Sequence, residues 1–183
     1  MNKSVKNIIE KINTECIDCL PNKEKDILSI LEYILEINET GILSNLDLEL
    51  SKDQYDKLLE TIDRVKNNEP LEYITNTGYF YSLRFKVTKD TLIPRPETEI
   101  LVDLALSELN KRIYTPDYDE KEISIIDIGT GTGCIPISIS IFNKGNINIS
   151  AVDISQKALD IANENIMDSD QSEQISTHLS DLF

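Results

Sequence analysis

Hydrophobic positions in the first 68 residues recur at helical spacing. Val5, Ile8, Ile9, Ile12, Cys16 and Leu20 fall on one face of a helix that Pro21 ends. Ile27, Ile30, Leu31, Ile34 and Leu35 make a second stripe, closed by the polar run around Asn38 and Gly41. A third helix begins at Ser51, with Gln54 three residues on as its capping-box partner, and its apolar face is Tyr55, Leu58, Leu59, Ile62 and Val65. Helices with one apolar face each must pack together. Residues 1–68 therefore predict a small helical bundle, suited to docking or scaffolding rather than to chemistry.

The period changes at Pro70. From Tyr73 to Val87 the chain is rich in Tyr, Phe, Thr and Val around Gly78, which predicts a β-hairpin inside a linker over 69–95. "TLIPRPETE" (91–99) follows, with Pro94 and Pro96 fixing an extended segment and Glu97 and Glu99 suiting the next helix N-terminus. That helix carries Ile100, Leu101, Leu104, Ala105 and Leu109, and the polar stretch "RIYTPDYDEKE" leads out of it. From Ile123 the order is strand, glycine loop, helix, strand, helix, strand: "ISIIDI", "IPISISIF", "INISAVDI", "SQKALDIANENIM" and "QISTHL". The first strand is an almost unbroken apolar run, as in a strand buried on both faces. Residues 96–183 thus predict a parallel α/β sheet with right-handed crossovers.

Composition narrows the function. The chain is 40% hydrophobic and 28% charged, with mean hydropathy −0.25, net charge −15 and pI about 4.4. So strong an acidic balance argues against direct nucleic-acid binding, which needs clustered Lys and Arg. No signal-like segment or long apolar run points to a membrane, and the expected compartment is the cytoplasm. Cys16 and Cys19 form a C-x-x-C, but Cys134 and His178 lie far away in sequence. No metal is expected: Cys16 and Cys19 read as structural and His178 as a strand residue.

Half of the six glycines sit in "IIDIGTGTGC" (125–134). Gly129, Gly131 and Gly133 alternate with Thr130 and Thr132, and Asp127 stands two residues ahead. A phosphate-cradling loop would end in Gly-Lys-Ser/Thr, and no lysine is present. A dinucleotide fingerprint needs glycine three residues after Gly131, where Cys134 stands; this weighs against a nicotinamide-linked oxidoreductase. An acid followed by G-x-G-x-G is typical of S-adenosylmethionine-dependent methyltransferases. There Asp127 faces the cationic part of the cofactor and the glycines let the loop pass close to it. Asp153, 22 residues after Gly131, ends the second strand, where a carboxylate accepts from both ribose hydroxyls; the alternative is a helix N-cap. Asp181 and Leu182, after the third strand, suit the adenine, or else a surface turn.

"FYSLRFKVTKDTLIPRPETEILVDLAL", "IIDIGTGTGCIPISIS", "AVDISQKALDIANENI" and "SDLF" resemble the protein-(glutamine-N5) methyltransferases of the HemK/PrmC type, from about residue 26 onward. The "LIPRPETE" box is specific to that group; the related enzymes that modify a ribosomal large-subunit protein usually differ there. The resemblance implies a Rossmann-like class I methyltransferase domain, here its first three strands, preceded by a helical bundle and a hairpin linker. It implies S-adenosyl-L-methionine as cofactor and the glutamine of the Gly-Gly-Gln motif in peptide-chain release factors as acceptor. It makes Gly129 to Gly133, Asp153, Asp181 and Leu182 cofactor positions and places Pro94, Arg95, Pro96 and Glu97 at the site entrance. A non-catalytic docking module and a methyltransferase for another protein glutamine are the alternatives.

The catalytic Asn-Pro-Pro-Tyr motif of those relatives does not occur in these 183 residues, so no catalytic residue is assigned and the chain alone is expected to be inactive. In the strand order of such enzymes, "ISIIDI" sits at the centre of the sheet. Here it is expected at an edge, with apolar surface around Ile125 and Ile137 exposed, so that the chain should self-associate, recruit a missing partner segment or be poorly stable alone.

Overall fold

A computed structural model of the chain describes residues 3–113 and 122–182. Most of "RIYTPDYDEKE", and Phe183 of "SDLF", lie outside the described residues. Two compact units divide the chain, Met1–Thr75 and Asn76–Phe183.

The first unit is helical: α1 (Val5–Glu15), α2 (Lys23–Leu35), α3 (Glu39–Leu43), α4 (Lys52–Lys66) and α5 (Leu71–Thr75), with a 3₁₀ turn at Ile17–Cys19 before Pro21. Its core joins Val5, Ile8 and Ile12 of α1 to Ile30 and Leu31 of α2 and Leu58 of α4. The capping box at Ser51 is formed in both directions, its hydroxyl accepting from Gln54 N–H and the Gln54 side chain accepting from Ser51 N–H. Two expectations change. The Asn38 side chain accepts from Gly41 N–H at 2.9 Å, so the polar run opens a short helix instead of only closing one. The helical unit also runs past residue 68 to Thr75, because Ile74 of α5 is 1% exposed and joins the bundle core.

The second unit opens with an antiparallel hairpin of β1 (Thr77–Phe80) and β2 (Leu83–Lys86), shorter than the 73–87 expected because 71–75 are helical. Its turn residues Tyr81 and Ser82 both lie in the left-handed region, at φ 52° and 61°, the twist a two-residue hairpin turn needs but one that side chains resist. Helix α6 (Glu99–Ile113) holds that turn: Tyr81 N–H donates to Glu99 Oε1 at 2.7 Å and its hydroxyl to Asp103 Oδ1 at 2.6 Å.

A three-stranded parallel sheet follows, built from β3 (Ile123–Ile128), β4 (Ile147–Asp153) and β5 (Ile175–Leu179) in the order β3-β4-β5. The crossovers are α7 (Cys134–Phe142), with Pro136 in its first turn, and α8 (Gln156–Asp168). Ile123, Ile125, Ile149, Ile137, Phe80 and Val102 belong to one core that brings together the sheet, α7, the hairpin and α6.

Strand β3 is the sheet edge, as expected, but it is not buried on both faces. Ile126 and Ile128 are 59% and 58% exposed, because the core covers only the face carrying Ile123 and Ile125. For the same reason Ile137 is buried and Ile125 only half-exposed: α7 lies on their side, and the bare apolar surface belongs to Ile126 and Ile128. The α6 stripe is also displaced. Val102, Leu106 and Leu109 face the core, while Ile100, Leu101 and Leu104 point outward.

Candidate functional site

The loop after β3 is fixed from the neighbouring strand. Gly129 N–H and Thr130 N–H both donate to the Val152 carbonyl, at 2.8 and 2.9 Å, and Gly133 N–H closes back on the Thr130 carbonyl at 2.9 Å. Gly129, Gly131 and Gly133 all have positive φ, at 78°, 55° and 77°. Two of them also face open space: a Cβ on Gly129 or Gly131 would meet nothing within 4 Å. A Cβ on Gly133 would lie 3.4 Å from both Ala162 Cβ and Ile137 Cδ1, so this glycine serves the packing of α7 on α8. The first two glycines leave room for a ligand, and the third lets the helices close.

Asp153, at the end of β4, accepts Gly131 N–H on Oδ2 at 2.9 Å and Ser155 N–H on Oδ1 at 3.0 Å. The N-cap of α8 is Ser155, whose hydroxyl accepts from Ala158 N–H, so the cap reading of Asp153 does not hold. Its carbonyl also accepts Ser180 N–H at 3.1 Å, which ties the segment carrying Asp181 and Leu182 to the same strand end. Asp181 and Leu182 are exposed there, with Leu182 at φ 74°.

Below the loop, Asp127 Oδ2 and Thr130 Oγ1 are buried without a hydrogen-bond partner. Burial pushes the Asp127 carboxyl above its ordinary value of 3.8; the neighbouring Thr130 side chain offsets part of the rise, and the nearby Asp153 charge adds to it. A buried polar atom without a partner costs stability unless something bonds it. Thr132 is 2% exposed, and Cys134 is held as a thiol, its pKa pushed up to about 11 chiefly by burial.

Of the residues expected at the entrance, Pro94 packs near the hairpin. Pro94 is half-buried, with its Cδ 3.6 Å from where a Cβ on Gly78 would stand, and Arg95, Pro96 and Glu97 are exposed. Arg95 accepts Thr98 N–H on its carbonyl in the 3₁₀ turn that leads into α6. Cys16 is buried with its Sγ toward the Ile12 carbonyl in its own helix, while Cys19 is exposed. His178 is an exposed β5 residue beside Ser176 Oγ.

A family model described as "PrmC N-terminal domain" matches residues 17–75, and one described as "Ribosomal protein L11 methyltransferase (PrmA)" matches residues 103–182. A release factor glutamine methyltransferase of Mycoplasma mycoides is 39% identical over 166 residues, covering 91% of this chain and 55% of its own length. One from Buchnera aphidicola is 40% identical over 145 residues, covering 79% and 48%. These findings support a chain of the HemK/PrmC type.

It spans about half the length of these family relatives. A solved structure, the N-terminal domain of human METTL16 in complex with SAH, aligns at a TM-score of 0.43 with 17% identity, covering 80% of this chain and 50% of that one. Hydrophobic patterning does not single out Asn165. Its signal was a polar side chain within the apolar stripe Ala158, Leu159, Ile161, Ala162 and Ile166 of α8. It is 4% exposed and accepts or donates three hydrogen bonds.

The raised Asp127 carboxyl gives a pH test. An acid whose folded pKa lies above its unfolded value costs the fold stability when it ionises. That cost is absent below the unfolded value and complete once the pH has passed the folded one. Asp127→Asn is therefore expected to raise the urea midpoint of the ligand-free chain near neutral pH. The gain should shrink as the pH falls toward the ordinary carboxylate range. Urea titrations across a pH series read this directly, and a gain independent of pH would show that the Asp127 charge is not the cause.

Proposed function

We propose that the chain supplies the docking bundle and the cofactor-binding sheet of an enzyme that methylates the glutamine side-chain amide in the Gly-Gly-Gln motif of release factors. The donor is S-adenosyl-L-methionine and the setting is the cytoplasm, where release factors act. The observation that carries this reading is the buried, unpartnered Asp127 carboxylate oxygen beneath a glycine loop with open space beside Gly129 and Gly131. A cationic amino-acid head group fits that oxygen, and Thr130 Oγ1 offers it a second partner. When bound, the cofactor supplies a methyl group activated by sulfonium charge.

This chain's own residues bind and orient. Asp153 keeps lone pairs beyond those used by Gly131 and Ser155, enough to accept the two ribose hydroxyls while still fixing the loop. Gly129 through Gly133, Thr130 and Thr132 included, form the wall along the cofactor. Asp181 and Leu182 take the adenine, and Pro94, Arg95, Pro96 and Glu97 line the approach of the acceptor glutamine. No residue here is assigned as catalytic. The match to the PrmA model spans only the second unit, whereas the first matches the PrmC N-terminal domain, so the part suited to docking favours release factors over the ribosomal protein.

Deleting the gene for this chain is expected to leave the Gly-Gly-Gln glutamine of the organism's release factors unmethylated, as read by mass spectrometry of that peptide. A fully methylated peptide would overturn the substrate assignment. The cofactor site is tested separately: Asp153→Ala should weaken S-adenosylmethionine binding by roughly 1–3 kcal/mol in calorimetry, and wild-type affinity in the variant would refute the ribose role.

We also propose that the chain self-associates through the edge of β3, supported by the exposed Ile126 and Ile128 beside that edge. Sedimentation over a concentration series should show oligomers, with slow hydrogen exchange along 123–128 appearing together with them. A monodisperse monomer whose amides along that strand are strongly protected would refute it.

A further inference from the structure

Asn165 joins two segments that are far apart in sequence. From the inward face of α8 its side-chain amide meets the outer edge of β2: Lys86 N–H donates to Oδ1 at 2.7 Å, and Nδ2 donates to the Lys86 carbonyl at 3.0 Å. The inner edge of that strand is already paired with β1, so the Asn165 amide stands where the peptide group of a third strand would. The same Nδ2 donates to the Thr132 carbonyl at 2.8 Å, in the middle of the glycine loop. One buried amide thus satisfies both backbone groups of Lys86 and the carbonyl between Gly131 and Gly133.

Neighbouring contacts keep α8 on the same two segments. Glu164 pairs with the Lys86 ammonium, and Lys157 pairs with Asp90 at 3.2 Å. Ala162 sits 3.4 Å from where a Cβ on Gly133 would lie. The chain from Lys86 runs within eight residues to Pro94, the start of the proposed entrance. The surface ion pairs hold Lys86 and Asp90, but among the described residues only the Asn165 amide bonds both the hairpin and the loop.

We infer that Asn165 is a positioning residue that couples the glycine loop to the 86–94 segment, so that ordering one orders the other. The inference rests on the reading of the loop as a cofactor site, and it adds a path by which an occupied site fixes the entrance through which the acceptor reaches it. A side chain with two donor hydrogens and one acceptor oxygen is required. Aspartate, nearly the same shape, keeps the acceptor for Lys86 N–H but sets an oxygen against two carbonyls.

The test is hydrogen exchange with S-adenosylhomocysteine as probe, on the whole chain and on Asn165→Ala and Asn165→Asp, with Glu164→Gln as a control that removes only the surface ion pair. In the ligand-free chain, Asn165→Ala should speed exchange at Lys86 and at Gly131–Gly133 together by about tenfold or more, while the β4 amides of 149–152 stay slow and show the sheet intact. With probe added, the wild type and Glu164→Gln should slow at 86–91, and Asn165→Asp should not. Unchanged ligand-free exchange at either segment in Asn165→Ala would overturn the inference. So would probe-induced slowing at 86–91 in Asn165→Asp equal to the wild type. Where Asn165→Ala fails to fold, the Asn165→Asp comparison decides. A wild type that takes up no S-adenosylhomocysteine overturns the cofactor reading instead, and the ligand-free comparison then decides the coupling by itself.

Discussion

Three left-handed glycines within five residues give the unfolded chain freedom that folding must remove, and the cost of that ordering has to be offset at the loop itself. It is offset from β4. The Val152 carbonyl takes two successive amides of the loop, and the Asp153 carboxylate takes Gly131 N–H from the next residue along the strand. A hydrogen bond to a charged acceptor is roughly twice as strong as a neutral one. Placing an acid at the end of β4 therefore stiffens a loop that no side chain of its own could hold. The parallel register of β3 against β4, with Asp127 opposite Ala151 and Ile128 opposite Val152, is what brings the acid to the glycine. A shift of one residue would carry Asp153 to the other face of the sheet and leave the loop unsupported.

The same register explains the uneven burial. With α6, α7 and the hairpin all serving the core on one side, alternate residues of β3 meet a packed interior and bare surface. An apolar strand exposed on one face and unpaired along one edge is a strong template for another chain. Its sequence, four isoleucines with a serine and an acid between them, carries neither lysine nor proline to blunt that edge. The hairpin is the opposite case. Its outer edge is closed by the Asn165 amide, and its strained turn at Tyr81 and Ser82 is held by two carboxylates of α6. Glu99 of the proline box is therefore committed to the turn, one reason the box and the hairpin act as one piece.

Much of this was legible in the residue pattern. The helical stripes of α1, α2 and α4, the capping box at Ser51 and the order of the parallel strands are local or periodic features, and they survive folding almost unchanged. What periodicity could not show was which side of an element would be covered. Ile100, Leu101 and Leu104 form as good a helical face as Val102, Leu106 and Leu109, and only the position of Phe80, Phe85 and α7 chooses between them. "ISIIDI" reads as doubly buried because isoleucine on either face looks alike. That Asp127, the glycines and Asp153 would gather at the strand ends was visible because their spacing is tied to those ends. Asn165 and the Glu99 and Asp103 bonds to Tyr81 depend on tertiary contacts across up to 79 residues, which no local pattern encodes.

Electrostatics adds a further constraint to the loop. The Asp153 charge lies close enough to raise the pKa of Asp127, in a chain whose net charge is already −15. A fold optimised for its own stability would neutralise one of them or give it a donor. Asp153 has its donors, two backbone amides; Asp127 Oδ2 has none. The strain is thus concentrated on one buried oxygen rather than shared by the pair. A cation reaching that oxygen gives it a partner and offsets the repulsion from Asp153 in the same step. A neutral donor supplies the partner without offsetting the repulsion, and an anionic head group does neither. On the proposed reading of the loop, that unsatisfied acid favours a positively charged head group.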